Sequence, residues 1–224
     1  MRCAHLTVLF LKLVRKPPKL CDNPLFFYGS QVLQKQAPEK SVLEPNWSSW
    51  KRLRFSSVPK DVLGWLRDEG SLTRRVIQAC AGDFRVRVLH QGWGAPLYSE
   101  GQVLRLRRGE ITLVREVELL CDETPWVFAR TLIPATSLRG PARRLTLLGD
   151  KPLGAVLFSD PHVHRGITQV ARLQPRHPLF AAATPHLSRL PVELWGRRTL
   201  FYIAGRPLLV NEIFLPDIPR DEGR

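Results

Sequence analysis

The spacing of apolar residues changes at Gly82, and this change constrains the fold more than any other feature of the sequence. Before Gly82, apolar residues recur at helical intervals in two segments, 61–66 and 72–80. After Gly82, residues 84–88 alternate between apolar side chains and arginine, as in a strand with one buried face. The folded part of the chain is therefore predicted to begin with two helices and to continue into strands.

Later segments have the alternation and the turn residues of antiparallel hairpins. The predicted strands are 103–107 and 111–120 around the turn 108–110, then 126–133, and finally 199–203 and 208–215 around the turn 204–207. The stretch 137–158 is predicted to contain short helices and loops. Because consecutive hairpins give an antiparallel sheet, the predicted fold class is α+β, with a single antiparallel β-sheet and helices covering one face.

The positive charge of the chain is unevenly distributed. The formal net charge is +14, and residues 1–60 contribute +8 of it, with 11 Lys and Arg against 3 Asp and Glu. The remaining 164 residues carry only +6. A modest positive charge favours small anionic substrates, so nucleic acid is not expected to bind the main body of the protein.

Lysine usage marks a domain boundary. Seven of the eight lysines lie in residues 1–60, whereas 22 of the 26 arginines follow them. We therefore expect residues 1–55 to form a basic extension, rich in proline and lysine and outside the core, and residues 56–220 to form the folded domain. A protein that begins near Trp50 is then expected to fold and to keep its activity.

The cysteines and the N-terminus predict a cellular compartment. The four cysteines form no C-x-x-C pair and match no zinc-ligand spacing; they are Cys3, Cys21, Cys80 and Cys121. We expect reduced thiols in a cytoplasmic protein, since a chain of 224 residues does not need disulfides for stability. We also expect a monomer, although the sequence leaves the oligomeric state open. The apolar run after Arg2 is interrupted by Lys12 and precedes no A-x-A-like cleavage site, so export is not expected. No apolar run approaches the ~18 residues of a membrane span.

Arg115 is the most unusual residue of the strand predicted at 111–120. Since side chains alternate across a strand, it shares a face with four aliphatic residues, Ile111, Leu113, Val117 and Leu119. The other face carries Glu116 and Glu118 and is predicted to be the wetter one. A guanidinium that points toward the core needs a partner, because an isolated buried charge is costly. An anionic ligand and a structural glutamate would both serve, and the pattern alone leaves both explanations open.

Glu212 presents the same question, because it is the only charged residue between Leu208 and Leu215. It shares its predicted strand face with Val210 and other apolar residues. A carboxylate in so apolar a strand is expected to be paired or functional. Asn211 shows that the opposite face is not purely apolar either, so a polar position on a wet strand face is the alternative.

Other motifs carry weaker signals. The stretch 151–154, Lys-Pro-Leu-Gly, is predicted to be a tight connection whose backbone N–H groups could bind a carboxylate, although most such turns are only turns. The stretch 195–198, Trp-Gly-Arg-Arg, is basic and aromatic, and by itself favours the solvated start of a strand. His162 and His164 have no evident third ligand, so no metal site is predicted.

Taken together, these motifs resemble those of bacterial chorismate pyruvate-lyases, the enzymes that begin ubiquinone synthesis by making 4-hydroxybenzoate. The matching stretches follow the family's order and are 70–75, 115–121, 125–126, 130–131, 151–154, 195–198, 205–209 and 212–216. W-G-R-R and G-x-P-L-L-x-x-E-x-F-L-P are specific in combination, whereas each alone is weak.

The resemblance implies an antiparallel sheet whose helices enclose an internal ligand cavity, and a lyase that needs no cofactor. Carried over by motif, it implies that Arg115 and Glu212 are catalytic and bind the substrate, chorismate, and that Leu72 and Leu153 also contact it. Leu72 replaces a methionine of the family, a substitution that nearly conserves side-chain volume. Residues 172–191 depart from the family in forming a longer connection.

A second function stays open at this point, namely a non-catalytic small-molecule-sensing domain of the same fold, as occurs in some transcription regulators. Such a regulator normally carries a helix-turn-helix domain in front. Residues 1–58 are interrupted by prolines and lack helical periodicity, so they do not predict one. We therefore favour the lyase.

Overall fold

This computed structural model describes residues 44–49, 52 and 58–220, apart from the side chain of Pro141. The strands and α-helices within them are β1 (Ser48–Ser49), α1 (Lys60–Arg67), α2 (Leu72–Ala79), β2 (Phe84–Gly94), α3 (Tyr98–Val103), β3 (Thr112–Cys121), β4 (Thr124–Pro134), α4 (Leu153–Ser159), β5 (Val163–Leu173), α5 (Pro178–Ala183), β6 (Leu194–Ile203) and β7 (Arg206–Phe214). Two 3₁₀ segments, Ala135–Ser137 and Gly140–Leu147, precede α4. Residues 1–43 of the predicted extension lie outside the described residues.

The strands form a single sheet in the order β1-β5-β6-β7-β4-β3-β2, and every neighbouring pair is antiparallel. The predicted antiparallel sheet is therefore confirmed. The predicted helices correspond to α1 and α2, and the predicted C-terminal hairpin corresponds to β6 and β7. No helix among the described residues has the length and apolarity to cross a membrane.

Helix α2 shows how the local sequence positions an element that matters for function. Ser71 precedes the helix, and its Oγ accepts a hydrogen bond from the backbone N–H of Arg74 at 3.4 Å, as an N-cap does. Leu72 and Val76, one turn apart, are buried and pack with Trp65 of α1 against the sheet. Apolar spacing and cap together therefore fix which face of α2 meets the sheet.

Helices cover both faces of the sheet, rather than the one face that the sequence predicted. The helices α1, α2 and α4 and the 3₁₀ segment Gly140–Leu147 pack on one face. The shorter helices α3 and α5 pack on the other, where α5 buries Leu179 and Phe180. Helix α5 lies within the long connection 172–191 noted in the sequence.

The prediction that the glutamate-bearing face of β3 is the wetter one is wrong. Glu118 is fully buried, and its Oε2 accepts a 2.6 Å hydrogen bond from Nη2 of Arg87 on β2. Glu116 is mostly buried, and its Oε1 lies 2.6 Å from Nη1 of Arg130 on β4. Arginines on the two neighbouring strands supply the charge partners that allow both glutamates to be buried.

The hairpin predicted between 103–107 and 111–120 is also wrong. Val103 is the last residue of α3, and β3 pairs with β2 on one side and β4 on the other. Strand β2 runs on to Gly94 and occupies the full length of β3, so no edge of β3 is left for residues 103–107. Glu100 holds the start of α3, since its Oε2 accepts a 2.8 Å hydrogen bond from the N–H of Leu97.

The prediction of reduced thiols is wrong for two of the four cysteines, because Cys80 and Cys121 form a disulfide. Cys80 ends α2, four residues before Phe84, and Phe84 pairs with Cys121 in the β2–β3 ladder. The antiparallel register thus brings the two Cα atoms to 5.5 Å, although 41 residues separate them in sequence. Cys3 and Cys21 lie outside the described residues.

A segment that the sequence assigned to the extension, residues 44–49, packs on the domain. The carboxylate of Glu44 accepts hydrogen bonds from the N–H groups of Tyr98 and Ser99 at 2.7 and 3.0 Å. Trp47 packs on the α5 side of the sheet beneath the guanidinium of Arg198, whose carbon is 4.7 Å from the ring centroid. Ser48–Ser49 form β1 at the edge of the sheet.

These contacts predict different stabilities for two truncated proteins, whereas the sequence alone predicts that both fold like the full-length protein. Removal of residues 1–43 is expected to leave thermal unfolding nearly unchanged. Removal of residues 1–49 also removes the burial of Trp47 and the Glu44 cap, which together stabilise the fold by about 2 kcal/mol. The melting temperature should then fall by about 4–8 °C. Differential scanning calorimetry on both truncated proteins tests this, and equal melts would show that 44–49 do not stabilise the domain.

Candidate active site

A cavity lies between α2, α4 and the face of the sheet that they cover. It contains about 590 Å³ of space free of protein atoms, part of it open to solvent. The residues that line it are Gly70, Leu72, Thr73, Arg115, Val117, Leu119, Ala129, Thr131, Pro152, Leu153, Gly154, Leu157, Phe158, Arg165, Phe201, Val210 and Glu212. All four residues implied by the resemblance are among them, and three of the lining side chains carry a charge.

Arg115 enters the cavity from the middle of β3, on the face that strand alternation predicts. It is 4% exposed. Its Nη1 donates a 2.9 Å hydrogen bond to Oε1 of Gln91, its partner across the β2–β3 ladder, and its Nη2 donates a 3.3 Å bond to the carbonyl of Lys151. Gln91 is itself held by a 3.0 Å bond to the carbonyl of Thr146. These contacts orient the plane of the guanidinium.

The charge of Arg115 has no carboxylate within 4 Å among the described residues. Burial lowers the pKa of its guanidinium from the ordinary value, and the more distant Asp150 carboxylate partly opposes this. Both contacts of its N–H groups are to neutral oxygens. The structural Arg–Glu pair that the sequence left open is therefore not formed, and a cation faces the cavity.

Glu212 enters the same cavity from β7 and has a charge partner. Its Oε2 lies 2.5 Å from Nε of Arg197 on β6, the residue directly opposite it in the ladder. Its Oε1 makes no hydrogen bond to the described residues. The carboxylate is thus fixed through one oxygen while the other is left for a ligand.

Arg197 connects Glu212 to the helical layer. It is 2% exposed, and its Nη1 donates hydrogen bonds to two carbonyls at the end of α1, those of Trp65 at 3.1 Å and of Asp68. Asp68 is four residues before Leu72, so a single guanidinium orders both the carboxylate of Glu212 and the connection into α2. The solvated strand start predicted for 195–198 is wrong, because these side chains are buried under α1 on one face and α3 on the other.

Leu72 and Leu153 approach the cavity from the first turns of α2 and α4. The two helices meet closely at Gly154, where a Cβ would lie 2.7 Å from Oγ1 of Thr73. Glycine therefore lets the start of α4 lie against α2. The first N–H groups of a helix have no intrahelical acceptor, and those of α4 begin at Leu153.

The sequence matches the family model described as chorismate lyase over residues 44–223. The chain belongs to the chorismate lyase family. The match begins at Glu44, the residue that caps α3.

Curated relatives in the chorismate lyase family match most of the chain. A protein of Methylococcus capsulatus (strain Bath) is 47% identical over 154 residues, which cover 69% of this chain and 94% of the relative. One from Aromatoleum aromaticum is 44% identical over 181 residues, or 79% of this chain and 96% of the relative. Both are named "Probable chorismate pyruvate-lyase".

Among solved structures, the ligand-binding domain of a putative GntR-family transcriptional regulator from Bordetella bronchiseptica aligns with a TM-score of 0.46 and 23% sequence identity. The alignment covers 64% of this chain and 92% of that domain. Similarity at this level does not carry function from one protein to the other.

Two lining or supporting residues were not identified from the sequence. Arg197 lies in the W-G-R-R motif, but its role depends on pairing across the β6–β7 ladder, which a single sequence does not reveal. Arg165 lies on β5, in a segment with no predicted strand. Within the described part of the chain, no three His, Cys, Asp or Glu side chains lie close enough together to hold a metal ion.

Proposed function

We propose that this member of the chorismate lyase family is a chorismate pyruvate-lyase, which converts chorismate into 4-hydroxybenzoate and pyruvate, the first step towards ubiquinone. The observation that carries the proposal is Arg115, a buried cation with no carboxylate partner among the described residues, in one apolar cavity with Glu212. An apolar cavity with a few convergent polar groups suits a small anionic ring that also bears a hydroxyl.

Arg115 binds the ring carboxylate of chorismate through the N–H groups that Gln91 and Lys151 do not use. Those two contacts keep the guanidinium oriented before the substrate enters, which lowers the entropy lost on binding. The N–H of Leu153 at the start of α4 adds a second donor for the same carboxylate. Leu72 packs against the ring from the start of α2.

Glu212 binds the other side of the ring. Its Oε2 is held by Arg197, and its Oε1 accepts a hydrogen bond from the C4 hydroxyl of chorismate. With both ends fixed, the ring lies against Val117 and Val210, which line the cavity between them. Positioning of this kind lowers the activation barrier by removing unproductive orientations.

The reaction is an elimination that produces an aromatic ring. The bond between C3 and the enolpyruvyl oxygen breaks, and the electron pair leaves on that oxygen. The proton on C4 is lost, its bonding electrons form the third ring double bond, and enolpyruvate takes up a proton to become pyruvate. Because aromatisation supplies much of the driving force, charge stabilisation and positioning by the cavity residues are sufficient.

The proposal predicts that no cofactor is needed. Purified protein incubated with chorismate and excess chelator should form 4-hydroxybenzoate and pyruvate in equal amounts, measured by chromatography and by a coupled assay for pyruvate. Heat-denatured protein is the control for spontaneous breakdown of chorismate. Recovery of activity only on addition of Mg²⁺ or Zn²⁺ would contradict the prediction.

The same experiment separates the lyase from a sensing domain. A non-catalytic domain would bind chorismate, seen by isothermal titration calorimetry, without releasing either product. Binding without turnover would therefore overturn the proposed activity while leaving the family assignment intact.

The compartment stays a prediction of the sequence. A cytoplasmic protein is expected from the cysteine spacing and the N-terminal sequence, but disulfides are rare in reducing compartments, and the Cys80–Cys121 bond counts against that location. Fractionation of cells followed by immunoblotting locates the protein, and non-reducing electrophoresis of the same fractions reports whether the disulfide is formed.

A further inference from the structure

Arg165 is a second guanidinium in the cavity, and nothing in the proposed chemistry so far uses it. It lies on β5 and is half-buried. Its Nη2 donates a 3.0 Å hydrogen bond to the carbonyl of Gly70, in the connection between α1 and α2. Its guanidinium carbon lies 5.7 Å from the ring centroid of Phe158 and 5.3 Å from that of Phe201, both cavity-lining residues.

The pairing of β5 with β6 determines the face on which the Arg165 side chain lies. The ladder between β5 and β6 is regular up to the pair Arg165–Phe201 and then shifts register before Thr168. Such a bulge changes which side chains of a strand share a face. Gly166, just after Arg165, lies so close to β6 that a Cβ there would be 3.1 Å from the carbonyl oxygen of Leu200. Arg165 lies directly opposite the cavity-lining Phe201 and therefore shares its face, and the bulge follows both residues.

The charge of Arg165 is incompletely matched by the protein. No carboxylate lies within 4 Å of its guanidinium among the described residues, and its hydrogen bond to Gly70 is to a neutral carbonyl. Burial and the nearby charge of Arg197 lower the pKa of Arg165 from its ordinary value, while Glu212, Glu69 and Asp68 oppose this from a distance. A half-buried guanidinium without a close carboxylate is stabilised when an anionic ligand binds beside it.

The order of strands places this second cation on the far side of Glu212. Arg115 is on β3 and Glu212 is on β7, two strands away; Arg165 is on β5, two strands further in the same direction. Each interval corresponds to about 10 Å between strand axes. The cavity therefore places the carboxylate of Glu212 between two guanidinium groups. A ligand with a single carboxylate on its ring can pair with only one of the two.

We propose that Arg165 binds the second carboxylate of the substrate, the one carried by the enolpyruvyl group. The inference rests on the proposed function and extends it. The enolpyruvyl ether is on C3, next to the C4 hydroxyl assigned to Glu212, so its carboxylate lies on the Arg165 side of the ring. Phe158 and Phe201 flank the guanidinium and limit its directions of approach. The product 4-hydroxybenzoate lacks this carboxylate and cannot make the contact.

A pair of ligands that differ by one carboxylate tests this directly. 3-(Carboxymethoxy)benzoate carries a ring carboxylate and an ether-linked carboxylate, whereas 3-methoxybenzoate carries only the first, and neither can undergo the elimination. Isothermal titration calorimetry on the full-length protein gives a Kd for each. We expect wild type to bind the dicarboxylate about tenfold or more tightly than the monocarboxylate, and Arg165→Gln to lose this preference. Arg165→Lys should keep part of it.

Arg74→Gln is the matched control, because Arg74 is exposed on α2 near the cavity but does not line it. It removes one nearby positive charge, and the preference should persist. Chorismate should show the same pattern: its KM rises about tenfold to a hundredfold in Arg165→Gln, while the Kd of 4-hydroxybenzoate changes less than about twofold. A purely structural role for Arg165 would weaken all the ligands together.

Two results would overturn the inference: no preference for the dicarboxylate in wild type, or an equal preference in wild type and Arg165→Gln. Thermal melts accompany every variant. If Arg165→Gln does not fold, the partial loss of the preference for the dicarboxylate expected in Arg165→Lys decides instead. The ligand pair is not turned over, so this test and the test of lyase activity can fail separately. Failure of wild type to convert chorismate would refute the lyase and leave the test of Arg165 standing.

Discussion

Arg115→Lys is expected to lower kcat/KM for chorismate by about tenfold to a hundredfold, with a change of only a few degrees in melting temperature. Lysine keeps the charge but loses the planar fork that binds a carboxylate through two N–H groups. One charge-assisted hydrogen bond is worth about 1.5–3 kcal/mol, which gives this range. The melting temperature falls little, because Arg115 forms hydrogen bonds only to neutral oxygens of Gln91 and Lys151 in the described structure.

Arg115→Ala should reduce kcat/KM further, since the substrate carboxylate would then enter an apolar site without a cationic partner. Arg87→Lys is the matched control, because Arg87 lies on the neighbouring strand β2 and pairs with Glu118 on the opposite face. It should retain near wild-type kcat/KM. Steady-state kinetics and thermal melts on the three variants decide the matter, and full activity in Arg115→Lys would show that Arg115 does not anchor the substrate.

The second large effect is expected at Arg197. Arg197→Met leaves the Glu212 carboxylate without its partner and removes the donor for the carbonyls of Trp65 and Asp68. Loss of one member of a buried ion pair costs about 3–5 kcal/mol, so the free energy of unfolding should fall by about that amount. For a domain of this size the melting temperature would fall by about 10 °C.

Glu212→Gln separates the two roles of this pair. The amide still accepts a hydrogen bond from Arg197, so the free energy of unfolding should fall by only about 1–2 kcal/mol, while kcat/KM for chorismate falls by about tenfold or more. Urea titrations and kinetics on both variants test this. If Arg197→Met unfolds within about 1 kcal/mol of wild type, then Arg197 does not organise the site as described.

Alternation in the sequence identifies site residues that lie on regular strands, but not those that lie next to a bulge. Strand β3 is regular around Arg115 and β7 is regular throughout, so counting alternate residues puts Arg115 and Glu212 on the cavity face. Strand β5 contains a bulge after Arg165, which breaks the alternation over the residues that would reveal it. Arg165 therefore carries no periodic signal.

Contacts between segments distant in the chain could not be predicted from the sequence, for a different reason. The Cys80–Cys121 bond and the Arg197–Glu212 pair both depend on the register of one strand against another. Register is fixed by the whole set of packed side chains rather than by the residues that form the contact. The misassigned strand at 103–107 has the same origin, because its apolar residues alternate well but β2 already occupies the neighbouring position.

The Cys80–Cys121 bond also affects the chain when it is unfolded. It closes a loop across a sequence separation of 41 residues, and the restriction this places on the denatured ensemble corresponds to about 4 kcal/mol of stability. This contribution does not come from contacts in the folded protein, because the bond acts by restricting the unfolded chain. The reduced protein can thus have the same native surface and still a lower melting temperature. Stabilities of variants are therefore comparable only when all proteins are measured at the same concentration of thiol in the buffer.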